Sequence, residues 1–371
     1  MSKKDKLDFA GVIMLVGFAL LLAFNQVVIK ITNGGFQPVF SAGIRSVLAL
    51  FVLLGWMRLT GKPIVLSRHV LRSGIGIGLL FALEFVLLFI ALDLTTVSRV
   101  GIIFYTMPVW LALAGHFYLP GGRLQGASVL GLVLATAGVI WAIGNRSEGQ
   151  QASWVGDLAT LAAAWCWAGI ALTARTTRLA QILPEQQLLW QLAVSAPVLL
   201  LVSAGFGPAL RDLQEIHIAG LLFQSTAVAC FGFLAWFWLL KQYPTSGVAS
   251  FSFLSPVFAV IMGWLFLGEQ IGLEIYIALG LVCLGSILIN KNLRVIGHLR
   301  PAKTINASAS AICCACVLTL GVCLPIRGLN NNRGRCAKIY FLCMRRDFQR
   351  CHLGRDDDGF DHRSGVLDVW T

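Results

Sequence analysis

Charge is what this chain has least of. Only 12% of its 371 residues are Asp, Glu, Lys or Arg, while 57% are hydrophobic. Soluble globular domains carry about 25% charged residues, so an ordinary water-soluble fold is excluded and a polytopic membrane protein is expected. Catalytic signatures are also missing. There is no HExxH, no GxSxG and no P-loop, which removes the usual metalloprotease, serine-hydrolase and nucleotide-driven classes. The GIGIG run at Gly74–Gly78 lacks the GxGxxG spacing and lies inside apolar sequence, where glycine serves helix packing. Cysteine is thin in the apolar runs, with Cys166, Cys230 and Cys283 standing alone as small core residues. The other seven follow residue 310, and with His352 they do not match the usual structural zinc spacings. No metal and no cofactor is expected. The net charge of +12 is not a nucleic-acid footprint, since about half of the excess lies in the last 80 residues and the rest in short loops.

What is abundant is long apolar sequence. Runs of 18 or more largely uncharged residues are candidate spanning helices. They fall at 8–29, 37–57, 73–92, 97–119, 124–143, 154–174, 186–205, 217–240, 246–267 and 272–290. The first is too long for the apolar core of a signal peptide and is expected to stay as a span. With the N-terminus inside, the inner segments hold Lys3, Lys4, Lys6, Arg58, Lys62, Arg68, Arg72, Arg123, Arg175, Arg178, Lys241 and Lys291. The outer loops then hold only Lys30, Arg99, Arg146 and Arg211. This is a positive-inside pattern, and it puts the N-terminus and the end of the tenth helix in the cytoplasm.

The chain also repeats itself. Ser98–Leu119 and Ser246–Leu267 align without a gap when Pro108 is set against Pro256, an offset of 148 residues. Six of the 22 positions are identical, among them Pro108/Pro256 and Gly115/Gly263. A proline within a span frees a carbonyl that a protein-lined cavity can satisfy and lipid cannot. The runs GLVLATAG and ALGLVCLG, in the fifth and tenth helices, each place small residues seven apart on one face. Five helices per copy is an odd number, so the second copy enters the membrane in the opposite sense. The expected fold is therefore an all-α integral membrane protein of ten transmembrane helices as two inverted five-helix repeats. Inverted repeats characterise secondary transporters, with the substrate site near the midplane where the halves meet.

These residues resemble the EamA branch of the drug/metabolite transporter superfamily. The resemblance rests on the TMPVW around Pro108, the SPV at Pro256, the GWLFLGEQ of Gly263–Gln270 and the GDLATLAAAWCWAGIAL of Gly156–Leu172. The first copy departs from the pattern at its end, where LPGGR stands in place of the acidic GE. The resemblance implies a ten-helix carrier of the inner membrane, often an exporter of amino acids or other small metabolites. Two repeats are expected, at 8–143 and 154–291, followed by an extension over 292–371 that matches nothing in the pattern. That extension reads as disordered, or as sequence out of frame. The leading function is export of a small polar, amino-acid-like metabolite by alternating access, with lipid around it. Proton coupling and a homodimer stay open. The rival is a polytopic protein without transport, such as a lipid-modifying enzyme or an assembly factor.

Within the runs only Arg45 and Glu84 are charges well away from the helix ends. At 1.5 Å per residue both lie ~12–14 Å beneath the outer edge. Opposite charges at one depth on adjacent helices suggest an ion pair, and an intramembrane charge faces a partner or a cavity. Glu84 would take a proton or the cationic end of a substrate and Arg45 a carboxylate. Otherwise Glu84 is a neutral core acid and Arg45 snorkels outward. The position aligned with Glu84 is Gly232. Tyr105, Trp110, Trp165 and Trp236 are candidates to line an amphipathic cavity, as are Trp167 and Trp238. Asn25 and Gln191 are uncharged polar residues that bind substrate or bridge helices. Pro108 and Pro256 act through backbone geometry.

Overall fold

The computed structural model describes residues 8–64, 68–118, 126–145, 152–243 and 253–298. Every regular element among them is helical: α1 (Phe9–Gly35), α2 (Pro38–Leu59), α3 (Leu71–Leu94), α4 (Val97–Phe104), α5 (Met107–Tyr118), α6 (Gly126–Gly144) and α7 (Trp154–Thr176) come first. α8 (Pro184–Ser203), α9 (Glu215–Phe223), α10 (Phe233–Gln242), α11 (Leu254–Leu267) and α12 (Leu273–His298) follow, with a π-helical stretch, Gln224–Gly232, joining α9 to α10. Eight helical stretches among the described residues are long and apolar enough to cross a bilayer, and Leu254–Leu267 and Leu273–Ile289 are shorter apolar helices. The expectations for the tail fall outside the described residues, as does the stretch 246–252 of the second proline helix.

Two helix limits differ from the sequence reading for visible reasons. α1 runs on past Lys30 to Gly35, because the Lys30 ammonium leaves the helix to donate to the Leu92 and Thr95 carbonyls at 3.0 and 2.7 Å. Those carbonyls belong to the end of α3 and have no partner within their own helix. The fourth run is two helices, not one. Pro108 offers no N–H to the Phe104 carbonyl and its ring crowds it, so the chain turns at Tyr105 and Thr106 between α4 and α5. The Thr106 hydroxyl donates to the Ile103 carbonyl at 2.6 Å and settles part of the break.

Glycines set the closest helix contacts. α6 lies against α12 with Gly131 facing Gly285 and Gly138 facing Ala278: a Cβ on Gly131 would stand 2.6 Å from the Gly285 carbonyl oxygen, and one on Gly138 3.0 Å from that of Ala278. Those four residues are the small ones of GLVLATAG and ALGLVCLG. Gly74 and Gly78 of the GIGIG run seat Trp190 and Val194 of α8 in the same way.

The end of the molecule at which α1 finishes, called here the far face, is tied by polar contacts. Arg99, counted from sequence as a loop charge, is fully buried with Asp157, both side chains 0% exposed and joined at 2.7 Å. Arg99 Nε adds contacts of 3.1 and 3.2 Å to the two carboxylate oxygens, and its other nitrogens donate to the Asn145 and Ala142 carbonyls. Arg211 forms a two-point pair with Asp93 at 2.8 and 2.9 Å and donates to the Asn33 carbonyl at 2.9 Å. Glu269, past the end of α11, caps α4: it accepts from the Val97 and Ser98 amides at 2.6 and 2.9 Å and from the Ser98 hydroxyl at 2.6 Å.

Asp157→Ala strands a buried guanidinium and is expected to cost about 3–5 kcal/mol, read as lost folded yield and lower thermal stability in detergent. Replacing Arg99 and Asp157 together by leucine is expected to recover most of that loss. A double variant as damaged as the single one would show that the lone charge is not the cause. Gly131→Leu is expected to lower the unfolding temperature, because the atom it meets is backbone and cannot move aside. Gly144→Leu, with nothing within 4 Å of its added Cβ, serves as the unchanged control.

Candidate functional site

A cavity of about 140 Å³ lies among α1, α2, α3, the α4–α5 turn, the π-helical stretch and α10. An apolar cavity of about 150 Å³ holds a molecule the size of benzene, so this one suits a small metabolite rather than a peptide or a lipid chain. Most of its wall is apolar, from Leu15, Phe18, Phe85, Phe104, Trp167 and Trp236 among others. Asn25, Gln26, Arg45, Glu84, Tyr105 and Ser255 supply the polar groups. A largely apolar hollow with a few convergent polar groups is the usual form of a small-molecule site.

The polar groups are short of partners. Arg45 is 1% exposed and Glu84 3% exposed. No hydrogen-bond partner is recorded for Arg45 Nε and Nη1, Glu84 Oε2, Asn25 Oδ1 or Gln26 Oε1. Each unmet buried donor or acceptor costs about 1–3 kcal/mol, and more when charged. Convergent unmet groups on one apolar hollow make this the candidate ligand site. The direct ion pair expected from sequence is not closed, since no Arg45 nitrogen comes within 4 Å of a Glu84 oxygen. The guanidinium carbon instead lies 4.3 Å from the Phe85 ring centroid. A cation over a ring face keeps part of its stabilisation while its N–H groups stay available.

Local structure explains how each wall is built. Asn25 and Gln26 are successive residues of α1, both buried, and present two amide oxygens at one depth. Tyr105 sits at the turn forced by Pro108, so both reach the cavity through that break. The opposite wall comes from the π-helical stretch through Val228 and Gly232. Widening from α to π geometry displaces the backbone acceptors at the onset. There the Ser225 and Thr226 hydroxyls donate to the Leu221 and Leu222 carbonyls, each at 2.7 Å. π-helical segments occur frequently at functional sites. Gly232 thus faces the same hollow as Glu84, its counterpart by sequence offset.

Of the residues singled out from sequence, the cavity gathers Glu84, Arg45, Asn25, Tyr105, Trp167, Trp236 and Pro108. Trp110, Trp165, Gln191 and Pro256 do not line it. Trp110 spends its indole N–H on the Thr106 hydroxyl at 3.0 Å and stands edge-on to Trp165, with ring centroids 5.6 Å apart. Trp165 is 51% exposed on the outer surface of α7. Gln191 is buried within α8, and Pro256 adjoins the lining residue Ser255. Sequence reading missed Gln26 and Ser255. Gln26 carried a signal, as the neighbour of Asn25 in an otherwise apolar run; Ser255 carried none beyond its place before Pro256. Among the described residues no group of three or more His, Cys, Asp and Glu side chains could hold a metal.

Comparison with known proteins gives this cavity its context. The model of the EamA-like transporter family matches residues 9–144 and 154–291. The chain is 26% identical over 275 residues to the uncharacterized transporter YoaV of Bacillus subtilis, covering 73% of this chain and 93% of that one. It is 27% identical over 307 residues to a probable amino-acid metabolite efflux pump of Escherichia coli, covering 80% and 95%. To the aromatic amino acid exporter YddG of Ancylobacter novellus it is 30% identical over 146 residues, covering 36% and 47%. A solved crystal structure shares the fold with a TM-score of 0.56 at 19% identity, covering 76% of this chain and 98% of that one. The family and the named relatives are transporters and not enzymes, which removes the lipid-modifying alternative. With both halves matched and a multi-pass helical body between them, the chain belongs to the EamA-like transporter family.

Proposed function

We propose that this protein is a secondary transporter that exports a small amino-acid-like metabolite by alternating access. Its body is ten spanning helices, as inverted five-helix repeats over 8–143 and 154–291, in the inner membrane with the N-terminus in the cytoplasm. The observation that carries the substrate reading is the pairing of opposite buried charges, Arg45 and Glu84, each with unmet hydrogen-bonding atoms, on one apolar cavity. A zwitterion fits that arrangement: its carboxylate goes to Arg45, and its ammonium to Glu84 with the Asn25 and Gln26 amide oxygens. The apolar remainder lies against Phe85, Phe104 and Trp167. The printed names of two relatives, an amino-acid metabolite efflux pump and an aromatic amino acid exporter, agree with this class.

Support for inverted repeats comes from a pair of related contacts. The Tyr243 hydroxyl donates to Asp8, just before α1, at 2.7 Å, and the Thr95 hydroxyl donates to Asp157, in the first turn of α7, at 3.2 Å. Thr95 and Tyr243 are 148 residues apart, the offset that aligns Pro108 with Pro256, and Asp8 and Asp157 are 149 apart, one residue more. The first contact is at the start of α1, and the second is at the far face, after three crossings. Related contacts on opposite faces are what an upside-down second copy would give. Glu84 is also the natural place for a coupling proton, because it can release one as the ammonium arrives.

Counterflow in proteoliposomes loaded with one amino acid at a time tests the reading, with sugars and amines as further loads. Glu84→Gln is expected to abolish exchange while leaving folded yield and thermal stability unchanged; wild-type flux would remove Glu84 from the mechanism. Arg45→Gln is expected to raise the half-saturating concentration about 10- to 100-fold, the worth of a charged hydrogen bond. Amino-acid amides should show the same weakening in the unsubstituted protein. Exchange of sugars or simple amines, but of no amino acid, would overturn the substrate class.

A further inference from the structure

Pro108 leaves two main-chain acceptors over at the edge of the cavity. The Tyr105 amide closes the last bond of α4 to the Gly101 carbonyl at 3.3 Å, and the Thr106 amide turns back to the Ile103 carbonyl at 3.3 Å. Beyond the proline, the Val109 and Trp110 amides both go to the Thr106 carbonyl, at 2.8 and 3.4 Å. The Phe104 and Tyr105 carbonyls are thus passed over, with no donor recorded among the described residues. Both residues are buried, and both line the cavity. Under lipid, backbone of this kind persists only where protein encloses it or where it borders a cavity. The same end of α4 carries the negative pole of its helix dipole.

The packing of α4 brings side-chain oxygens to the same part of the hollow. α4 and α11 run antiparallel: a Cβ on Gly263 would stand 2.9 Å from Ser98 Oγ, and one on Gly101 would collide with the Ala259 Cβ. One turn further along both helices, that register sets Tyr105 opposite Ser255. Ser255 is buried and lines the cavity, and no hydrogen bond is recorded for its hydroxyl. From α1 comes Gln26, 3% exposed, whose Oε1 has no partner and lies 3.5 Å from the Cβ position of Gly101. Two carbonyls, a hydroxyl and an amide oxygen therefore border the α4 side of the hollow. All four are neutral.

We infer that the α4–α5 break is a binding site for an alkali-metal cation, held by the Phe104 and Tyr105 carbonyls, Ser255 Oγ and Gln26 Oε1. Ligand type selects the occupant. Calcium and magnesium sites draw on carboxylates, and zinc, copper and iron sites on imidazole or thiolate; none of these groups is in the set. Neutral oxygens suit a hard monovalent ion, whose water shell they replace as carbonyls do in selectivity filters. Interrupted membrane helices hold sodium in this way, through unwound carbonyls and the C-terminal end of a half-helix. Ionised Glu84 offsets Arg45 on the cavity wall, so the ion meets no net positive charge there. Gln26 is shared with the ammonium position proposed above, which would join ion to substrate in a transport cycle. The site itself stands on the cavity and the helix break, not on that reading.

Equilibrium binding of radioactive sodium to the full-length protein in detergent tests the site, with rubidium standing for potassium in a parallel arm. A single saturable site for one or both ions is expected, and the two isotopes show which ion it prefers. Pro108→Ala offers an N–H to the Phe104 carbonyl and is expected to weaken ion binding about tenfold or more, the worth of one charge-assisted bond. Gln26→Leu and Ser255→Ala should weaken it likewise. Ser255→Thr keeps the hydroxyl and should bind as the unsubstituted protein does, a comparison that holds even if Pro108→Ala misfolds. Absence of saturable binding of either ion overturns the site. So does binding that survives all three weakening substitutions; its loss in Glu84→Gln would then give the ion to the carboxylate. Counterflow with the same preparations, reconstituted, keeps the two ideas apart. Ion binding without exchange of any load removes the carrier reading and keeps the site, whereas exchange without ion binding removes the site and keeps the carrier.

Discussion

A charge held under lipid must have either a partner or a hollow, and this requirement sorts the ionisable groups of the chain into two sets. A bare charge at the middle of a membrane helix costs about 2.5–3.5 kcal/mol on insertion scales, so none is kept without a use. Arg99, Asp157, Glu269, Lys30, Arg211 and Asp93 have partners and hold helix ends together. Arg45 and Glu84 have unmet atoms and face the cavity. Scaffold and site are thus built from the same residue types. What separates them is whether the nearest complementary group belongs to the protein. A zwitterionic solute would complete the second set as Asp157 completes Arg99.

The helical body was legible because its main signal is length and apolarity, which survive without knowledge of packing. Each apolar run from 8 to 290 corresponds to a helix or helices among the described residues, and the seven-residue spacing marked α6 and α12 each for close packing, though not as each other's partner. Misplaced limits had local causes. Lys30 looked like a loop residue because a lysine in a membrane helix is costly, but its ammonium reaches two carbonyls at the end of α3. Pro108 was readable as a break, though not as one that divides α4 from α5. The π-helical stretch left no trace in the pattern, since one more residue per turn over Gln224–Gly232 changes no residue type.

The site was half legible for the same reason. Arg45 and Glu84 stand out by charge, and Asn25 by polarity, so chemistry alone locates them. Aromatic residues carry no such mark: Trp236 and Trp165 are alike in sequence, yet one lines the cavity and the other is turned outward. Arg99 and Asp157 were discounted because they lie near helix ends, where charge is normally solvated. Their burial depends on the starts of α4 and α7 meeting the end of α6 at one face, which no window of sequence reports. The Glu269 cap is harder still, with 171 residues between it and Ser98.

The two copies share a framework but divide the work around the cavity. At one offset-related position the first copy places Glu84 and the second Gly232, on a segment whose backbone is widened to π geometry. That segment is anchored at its start, where Gln224 donates to the Thr32 hydroxyl at 2.9 Å and Thr32 donates onward to the Val28 carbonyl at 2.7 Å. Glycine at position 232 brings no second acid to the cavity wall. A single glutamate with Arg45 on the same cavity wall is what the proposed zwitterionic substrate would require. The wall of the hollow is drawn from both copies, and the charges on it from the first alone.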